Sequence, residues 1–348
     1  MAKKKILVTG GCGYIGGHTI VDLIENGFEV ISVDDLSKGS LRMLHGVEKI
    51  VGKTVKNYKV NLCDLEDTEA IFMENPDIVG IVHFAAYKSV PESVREPLKY
   101  FKNNINSLSN ILQCAKEFGV NNVVFSSSCS VYGNADVLPV SEEAPLKEPE
   151  SPYARTKQIG ESICKDFCVP NKNFNTVLLR YFNPVGAHMS ATIGELQEIP
   201  ENLVPVITQT AIGKRKDMQV FGTDYPTRDG SCVRDYIHVM DIANAHTKAL
   251  QYMLAGKHQD RCEVFNLGTG EGVTVLELID AFEKVSGQKL NYRIGPRRPG
   301  DVVAVYANNN KAASMLGWQT KYDLSQMMDS AWRWEQYLKR EAETIQLN

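Results

Sequence analysis

The sequence predicts an α/β protein: a doubly wound parallel sheet that binds a dinucleotide, with a smaller, discontinuous α/β unit for the substrate. Three observations carry this. A strand-like run, Lys5-Ile6-Leu7-Val8, breaks into Thr9-Gly10-Gly11-Cys12-Gly13-Tyr14-Ile15-Gly16-Gly17 and then into a helical pattern. A second strand-like run ends in Asp34-Asp35, about 20 residues past the glycines, where a ribose 2′-hydroxyl needs an acceptor. Short apolar strands then keep alternating with amphipathic helices through the first half, the rhythm of parallel strands joined by helical crossovers.

The glycines read as G-x-G-x-x-G from Gly11 and equally as Gly10, Gly13 and Gly16 at three-residue spacing. Glycine lets the turn close and lets backbone N–H groups approach a pyrophosphate, which the dipole of the following helix then faces. Gly10, Gly13, Tyr14, Ile15 and Gly16 are therefore candidate cofactor contacts, with Asp34 on the adenosine ribose. The charge of Asp34, supplemented by Asp35, repels a 2′-phosphate and predicts NAD over NADP.

Further along, 58–61 leads to Cys63-Asp64-Leu65 and a helix near 68–74. A fourth strand, Ile78–His83, ends in Phe84-Ala85-Ala86, and a long helix covers about 97–118. The fifth strand, near 122–125, ends in Ser126-Ser127-Ser128-Cys129-Ser130; a helix over about 153–167 and a strand at 176–180 follow. Binding residues are expected at the carboxyl ends of these strands.

After Asn183-Pro184 the rhythm fails. Residues 187–235 are rich in Pro, Gly, Asp and Thr, with one helical pattern at 205–213, and read as a smaller unit that closes over the cofactor. The segment from Asp235 is expected to return to the sheet, with a helix to about Leu254, another strand at 264–267 and a helix over 273–286. This divides the chain into a cofactor unit, 1–185, with its sheet completed near 235–270, and a mainly substrate-binding unit, 186–348. A last helix, about 324–339, carries a core-like stripe of Met327, Met328, Ala331, Trp332, Trp334 and Leu338.

Bulk composition narrows the function classes. The chain has 348 residues, 43% hydrophobic and 23% charged, with net charge −4, so it carries enough apolar mass for a sizeable core and no basic excess for nucleic acid. No run approaches membrane-spanning length, and the aliphatic stretch after Lys3-Lys4-Lys5 is too short for a signal peptide. Eight cysteines occur without a C-x-x-C pair; buried free thiols such as Cys164 and Cys168 suit a reducing cytoplasm. No histidine spacing matches a metal site, so none is expected.

Tyr153 and Lys157 are four apart on one helix face. An ammonium beside a phenol favours the phenolate and is expected to pull its pKa from about 10 towards that of a working general base. The spacing is common by chance; its place on the helix after the fifth strand is what counts. A hydroxyl of the serine cluster at that strand's end is placed to hydrogen-bond a substrate alcohol, and Lys88 to hold a ribose or sugar hydroxyl. In the second half Asn183, Asn202, Arg234 and Arg298 offer amides and cations for a phosphate, and Phe221 could face a flat base.

Together, the glycine turn, the serines before Val131-Tyr132-Gly133 and Ser151-Pro152-Tyr153-x-x-x-Lys157 resemble the extended short-chain dehydrogenase/reductase superfamily. Arg180-Tyr181-Phe182-Asn183-Pro184-Val185-Gly186, Val233-Arg234-Asp235-Tyr236-Ile237-His238-Val239 and the Arg298 segment are similar to the UDP-glucose 4-epimerase family, over about 5–332. The resemblance implies a bound NAD that takes hydride from sugar C4 while Tyr153 removes the 4-hydroxyl proton. Lys157 tunes the tyrosine and holds the nicotinamide ribose, and Ser128 bridges the hydroxyl. The resulting keto sugar turns over and hydride returns to its other face. It further implies that Asp64, Leu65, Phe84, Asn103 and Tyr181 line the NAD. Phe182, Asn183, Asn202, Leu203, Phe221, Arg234, Arg298 and Asp301 would hold the UDP-hexose, and Val305 would line the far end of the hexose pocket. A homodimer through helices near 103–118 and 153–167 is implied as well. Two rivals are weaker. A nucleotide-sugar 4,6-dehydratase needs a carboxylate beside the serine, where this chain has Cys129-Ser130. A catalytically silent NAD sensor would have little use for Tyr153, Lys157 and the arginines together.

Overall fold

The computed structural model describes residues 3–197, 199–298 and 301–346. Pro299 and Gly300 of the Arg297–Asp301 motif lie outside the described residues. Along the chain run β1 (Lys5–Thr9), α1 (Tyr14–Glu25), β2 (Glu29–Val33), α2 (Leu41–Val51), β3 (Asn57–Tyr58), α3 (Leu65–Glu74), β4 (Ile78–His83), α4 (Val90–Arg95), α5 (Pro97–Glu117) and β5 (Asn122–Ser128). A 3-10 turn over Cys129–Tyr132, α6 (Pro152–Cys168), β6 (Asn175–Tyr181) and β7 (Asn183–Val185) complete the first half. The second half comprises α7 (Leu203–Ala211), β8 (Met218–Phe221), β9 (Val233–Arg234), β10 (Tyr236–His238), α8 (Val239–Leu254), β11 (Cys262–Leu267) and β12 (Val273–Thr274). It ends with α9 (Val275–Ser286), β13 (Tyr292–Gly295), β14 (Ala304–Val305) and α10 (Leu324–Gln346).

Seven strands form one sheet in the order β11-β6-β5-β4-β1-β2-β3, all parallel. The middles of the longer strands are mostly apolar because helices cover both faces. One face packs Ile6, Val8, Val82 and Leu179 against Ile20, Val21 and Val47 of α1 and α2 and Ile242 and Leu250 of α8. The other packs Leu7, Ile81, Val123 and Leu178 against Phe72 of α3, Ile111 and Leu112 of α5 and Cys164 of α6. Successive strands are added to opposite sides of β1, so the strand order reverses between β1 and β4, where Thr9 lies opposite His83. Such a switch point leaves a crevice at the strands' carboxyl ends.

A second core joins α7, α9 and α10 through Ile207, Leu278, Phe282, Met328 and Trp332; of the expected stripe on the last helix, Met327, Met328, Ala331 and Trp332 lie in it, Trp334 is buried outside it and Leu338 is half-buried. Small sheets pair β8 with β13 and β9 with β12 and β14.

Two expectations need correction. Only part of the 235–270 segment joins the main sheet: β11 pairs with β6, whereas β10 pairs with β7 in a separate two-stranded sheet. β6 ends at Tyr181, and the chain after Phe182 continues as β7, which pairs with β10 instead. Helices α2 and α4 were not anticipated. Yet α2 has its signals, a Ser40 side chain that caps Arg42 N and a left-handed Gly52 at the far end. Its interior Gly46 lowers helix propensity, and is needed because a Cβ there would lie 2.4 Å from Ile193. The third strand is also displaced, covering Asn57–Tyr58 rather than 58–61.

Candidate active site

The glycine turn is built as the spacing requires. Gly10 has φ +69°, and its N–H donates to Val33 O at 2.7 Å, joining the turn to β2. A Cβ on Gly16 would sit 2.2 Å from Gly10 O, whereas one on Gly13 would meet only Gly10 O, at 3.1 Å. Gly16 is thus glycine for packing, and Gly13, preceding α1 without a side-chain cap, leaves the helix N-terminus open to a ligand. Asp34 ends β2 beside this turn and accepts from Cys12 N at 3.1 Å and Leu36 N at 2.9 Å; burial pushes its carboxyl up, and those two bonds oppose the shift.

Other predicted cofactor residues have structural duties too. Tyr14 is buried and donates its hydroxyl to Gly186 O at 2.6 Å, Asp64 caps α3 through Asp67 N, and Asp35 accepts from Ser37. Ile15 and Phe84 pack on the sheet face covered by α1 and α8, and Leu65 on the face covered by α3 and α5. The Phe84 ring lies 4.6 Å from that of His246. Asn103 donates to Asn104 Oδ1 at 3.0 Å.

Tyr153, Lys157 and Ser128 do converge. Tyr153 opens α6, which Ser151 caps through Ala154 N at 3.2 Å, and Ser128 ends β5. Ser128 stands close enough to the Tyr153 phenol to favour its ionised form, but burial dominates and pushes that phenol up to about 12. The expected downward pull from Lys157 is therefore corrected. Lys157 Nζ lies 5.9 Å from the Tyr153 ring centroid and donates instead to Ser126 O at 2.6 Å. Its own pKa is lowered to about 8 by burial, with Glu161 opposing. Sharing a helix face fixed the direction of the side chain, not the partner its ammonium would choose. Tyr181, at the end of β6, contacts Ser126 Oγ with its hydroxyl. His83 Nδ1 lies 2.9 Å from Thr9 Oγ1, and burial lowers the imidazole to about 3, so it is neutral.

The predicted anion grip also assembles. Asp301 accepts from Arg298 at 2.7 Å and Arg234 at 3.4 Å, and Arg234 further donates to Val302 O at 2.8 Å. The exposed Arg298 guanidinium lies 5.5 Å from the Phe221 ring centroid. β14 runs parallel to β9, so Val305 sits opposite Arg234. Val305 is 8% exposed, in a cluster with Phe182, Val131, Tyr132, Val140 and Ala307. Asn183 N donates to Asp235 O at 2.9 Å.

Lys88 and Asn202 meet through a residue the sequence did not single out. Glu195 accepts from Lys88 at 3.0 Å and from Asn202 Nδ2 at 3.1 Å, while its own carbonyl accepts from Trp334 Nε1 at 2.9 Å. Leu203 follows Asn202 as the first residue of α7. Asp235 is a second such residue: its carboxylate gathers Thr269 N and Oγ1, Gly270 N and Ala307 N, which fixes β9 and its arginine. Neither has a local signal, because no partner of either carboxylate lies within a helical turn of it.

A family model described as GDP-mannose 4,6 dehydratase matches residues 7–331. The chain is 45% identical over 331 residues to UDP-glucose 4-epimerase of Bacillus subtilis, covering 95% of this chain and 96% of that protein. A solved structure of UDP-glucose-4-epimerase from Stenotrophomonas maltophila, with bound NAD and formylated UDP-arabinopyranose, superposes with TM-score 0.93 at 43% identity, over 97% of this chain and 99% of that one. The UDP-Glc/GlcNAc 4-epimerase of Campylobacter jejuni superposes with TM-score 0.83 at 38% identity, over 96% and 99%. A glycine turn at the switch point, a Tyr-Lys-Ser cluster at the neighbouring strand end and whole-chain identity of this order lead to one conclusion: the chain belongs to the UDP-glucose 4-epimerase family of the extended short-chain dehydrogenase/reductases.

Proposed function

We propose that this protein is an isomerase that interconverts UDP-glucose and UDP-galactose with tightly bound NAD. The observation that carries the reading is the convergence of Tyr153, Ser128 and Lys157 beside a dinucleotide crevice, with Arg234 of β9 and Arg298 both meeting Asp301 of the loop before β14. The residues fit the cofactor: Gly13 leaves room before α1, and Asp34 presents a carboxylate where an adenosine ribose hydroxyl would bond and a 2′-phosphate would be repelled. NAD, when bound, supplies a hydride acceptor that returns what it takes, so the net redox change is zero.

The chain's own groups do the rest. Tyr153 Oη holds or takes the proton of the sugar 4-hydroxyl, and Ser128 Oγ steadies that oxygen. Lys157, anchored to Ser126 O, would hold the nicotinamide ribose. Arg234 and Arg298 grip the diphosphate, with Asn183, Asn202, Leu203, Phe221 and Phe182 around the nucleotide and sugar. Firm hold on the UDP and loose hold on the hexose let either sugar face meet the same proton acceptor. Residues 1–185, with β11, would form the cofactor unit, and 186–348 mainly the substrate unit.

Val305 is small enough to leave space for an N-acetyl group, where tyrosine would not, so UDP-N-acetylglucosamine and UDP-N-acetylgalactosamine are proposed as further substrates. Similarity to the Campylobacter jejuni enzyme supports this. Val305→Tyr should suppress the acetylated reaction and leave UDP-galactose turnover largely intact; equal harm to both would remove Val305 as the gate. A homodimer through α5 and α6 and a cytoplasmic location are part of the reading. Eight free thiols support the latter, as does the finding that no helix among the described residues is long and apolar enough to cross a membrane. Supplying UDP-galactose and analysing the products tests the whole: UDP-glucose is expected, whereas a 4-keto-6-deoxy sugar or no reaction would overturn it.

A further inference from the structure

The three serines that end β5 turn to three different partners. Ser126 meets Tyr181 through its hydroxyl and Lys157 through its carbonyl, and Ser128 meets Tyr153. Ser127, which the proposed reaction leaves without a part, is fully buried and donates to Glu161 Oε1 at 2.5 Å. Glu161 stands one turn beyond Lys157 and two beyond Tyr153 on α6. Its carboxylate also receives a two-pronged Arg180 guanidinium, Nε to Oε1 at 2.8 Å and Nη2 to Oε2 at 2.6 Å. The third Arg180 nitrogen donates to Tyr132 Oη at 2.8 Å, and that hydroxyl donates to Asn266 Oδ1 at 2.7 Å.

Glu161 and Arg180 are 1% and 2% exposed. A pair this dry gains little net stability over apolar side chains of the same volume, because desolvation of both charges offsets their attraction. Its two-pronged geometry is directional, however. It joins α6 to β6 through Arg180, to β5 through Ser127, and through Tyr132 and Asn266 to the 3-10 turn and β11. A slide or roll of α6 would break several of these bonds at once, so the helix has one seat against the end of β5. That seat decides whether a phenol from α6 and a hydroxyl from β5 meet.

We propose that the buried Glu161–Arg180 pair, tied to β5 by Ser127, is the positioning element that aligns Tyr153 with Ser128 for proton transfer. The inference rests on the epimerase reading of those two residues. None of its members touches the reacting atoms, so the expected signature is a loss confined to kcat.

The test compares wild-type holoenzyme with Ser127→Ala, which cuts the tie to β5 and leaves the ion pair whole. Misplacement on the scale of an ångström costs up to about 10²-fold. The expected result is a fall in kcat of about tenfold or more, with KM for UDP-galactose and NAD content unchanged. Tyr132→Phe keeps the ring and removes only the hydroxyl shared by Arg180 and Asn266. It serves if Ser127→Ala does not fold, and should lower kcat severalfold in the same pattern. A folded variant with a lower melting temperature but kcat within twofold of wild type would overturn the positioning role alone. Absence of turnover in wild type would overturn the epimerase reading and this inference with it.

Discussion

Replacing Tyr153 with Phe is the sharpest single perturbation, because the structure separates its chemical cost from its folding cost. The lost atom is one hydroxyl, whose contact is Ser128. Ser128 keeps its bond from Ser130 N at 3.2 Å, and Lys157 keeps its anchor on Ser126 O, so neither neighbour is released. Even a full hydrogen bond lost there would cost only about 1 kcal/mol of stability. Removing a general base from the transition state costs far more, about 10² to 10⁴ in rate, or about 3–5 kcal/mol at 1.36 kcal/mol per decade. Turnover of UDP-galactose should fall by that factor, while NAD released on denaturation stays stoichiometric and the urea midpoint moves little. A correctly folded Tyr153→Phe protein that retains turnover within tenfold of wild type would refute the assignment of the base.

Cofactor released on denaturation should be NAD by mass spectrometry; a predominance of NADP would remove Asp34 from its role. Gly16→Ala forces a Cβ to 2.2 Å from Gly10 O, so the turn must shift and retained NAD should drop at least tenfold, on the order of the loss that misplacement causes; unchanged cofactor content would contradict the packing reason for that glycine. Lys157 falls from 10.5 to about 8 on burial, so in NAD-stripped protein its charge costs stability below pH 8, and the cost disappears as pH rises towards 10.5. That is about 3 kcal/mol at most, partly offset by the bond to Ser126. Lys157→Met should therefore gain about 1–3 kcal/mol in urea unfolding at pH 7 and markedly less at pH 10; equal or lower stability at pH 7 would contradict the buried charge.

Much of this protein can be read from local sequence. The turn from Thr9 to Gly16 needs residues without side chains at fixed offsets. Covered strands such as β1 and β4 must be apolar on both faces, and a tyrosine and a lysine four apart must share a helix face. All three are short-range constraints, so they survive in the order of residues alone. By itself the sequence thus determined the parallel sheet, the dinucleotide turn with Asp34 beside it, and the candidate pair Tyr153 and Lys157 next to a serine cluster. What it could not determine depends on partners far along the chain. Lys157 chose the carbonyl of Ser126 over the phenol, since a buried ammonium takes the nearest strong acceptor. Lys88 and Asn202 came together on Glu195, Asp235 found its donors at 269–270 and 307, and β10 joined β7 instead of the main sheet. The Glu161–Arg180 pair likewise exists only once α6 lies against β5 and β6. In low-dielectric surroundings every buried charge must be matched, and which side chain matches it is decided by tertiary packing.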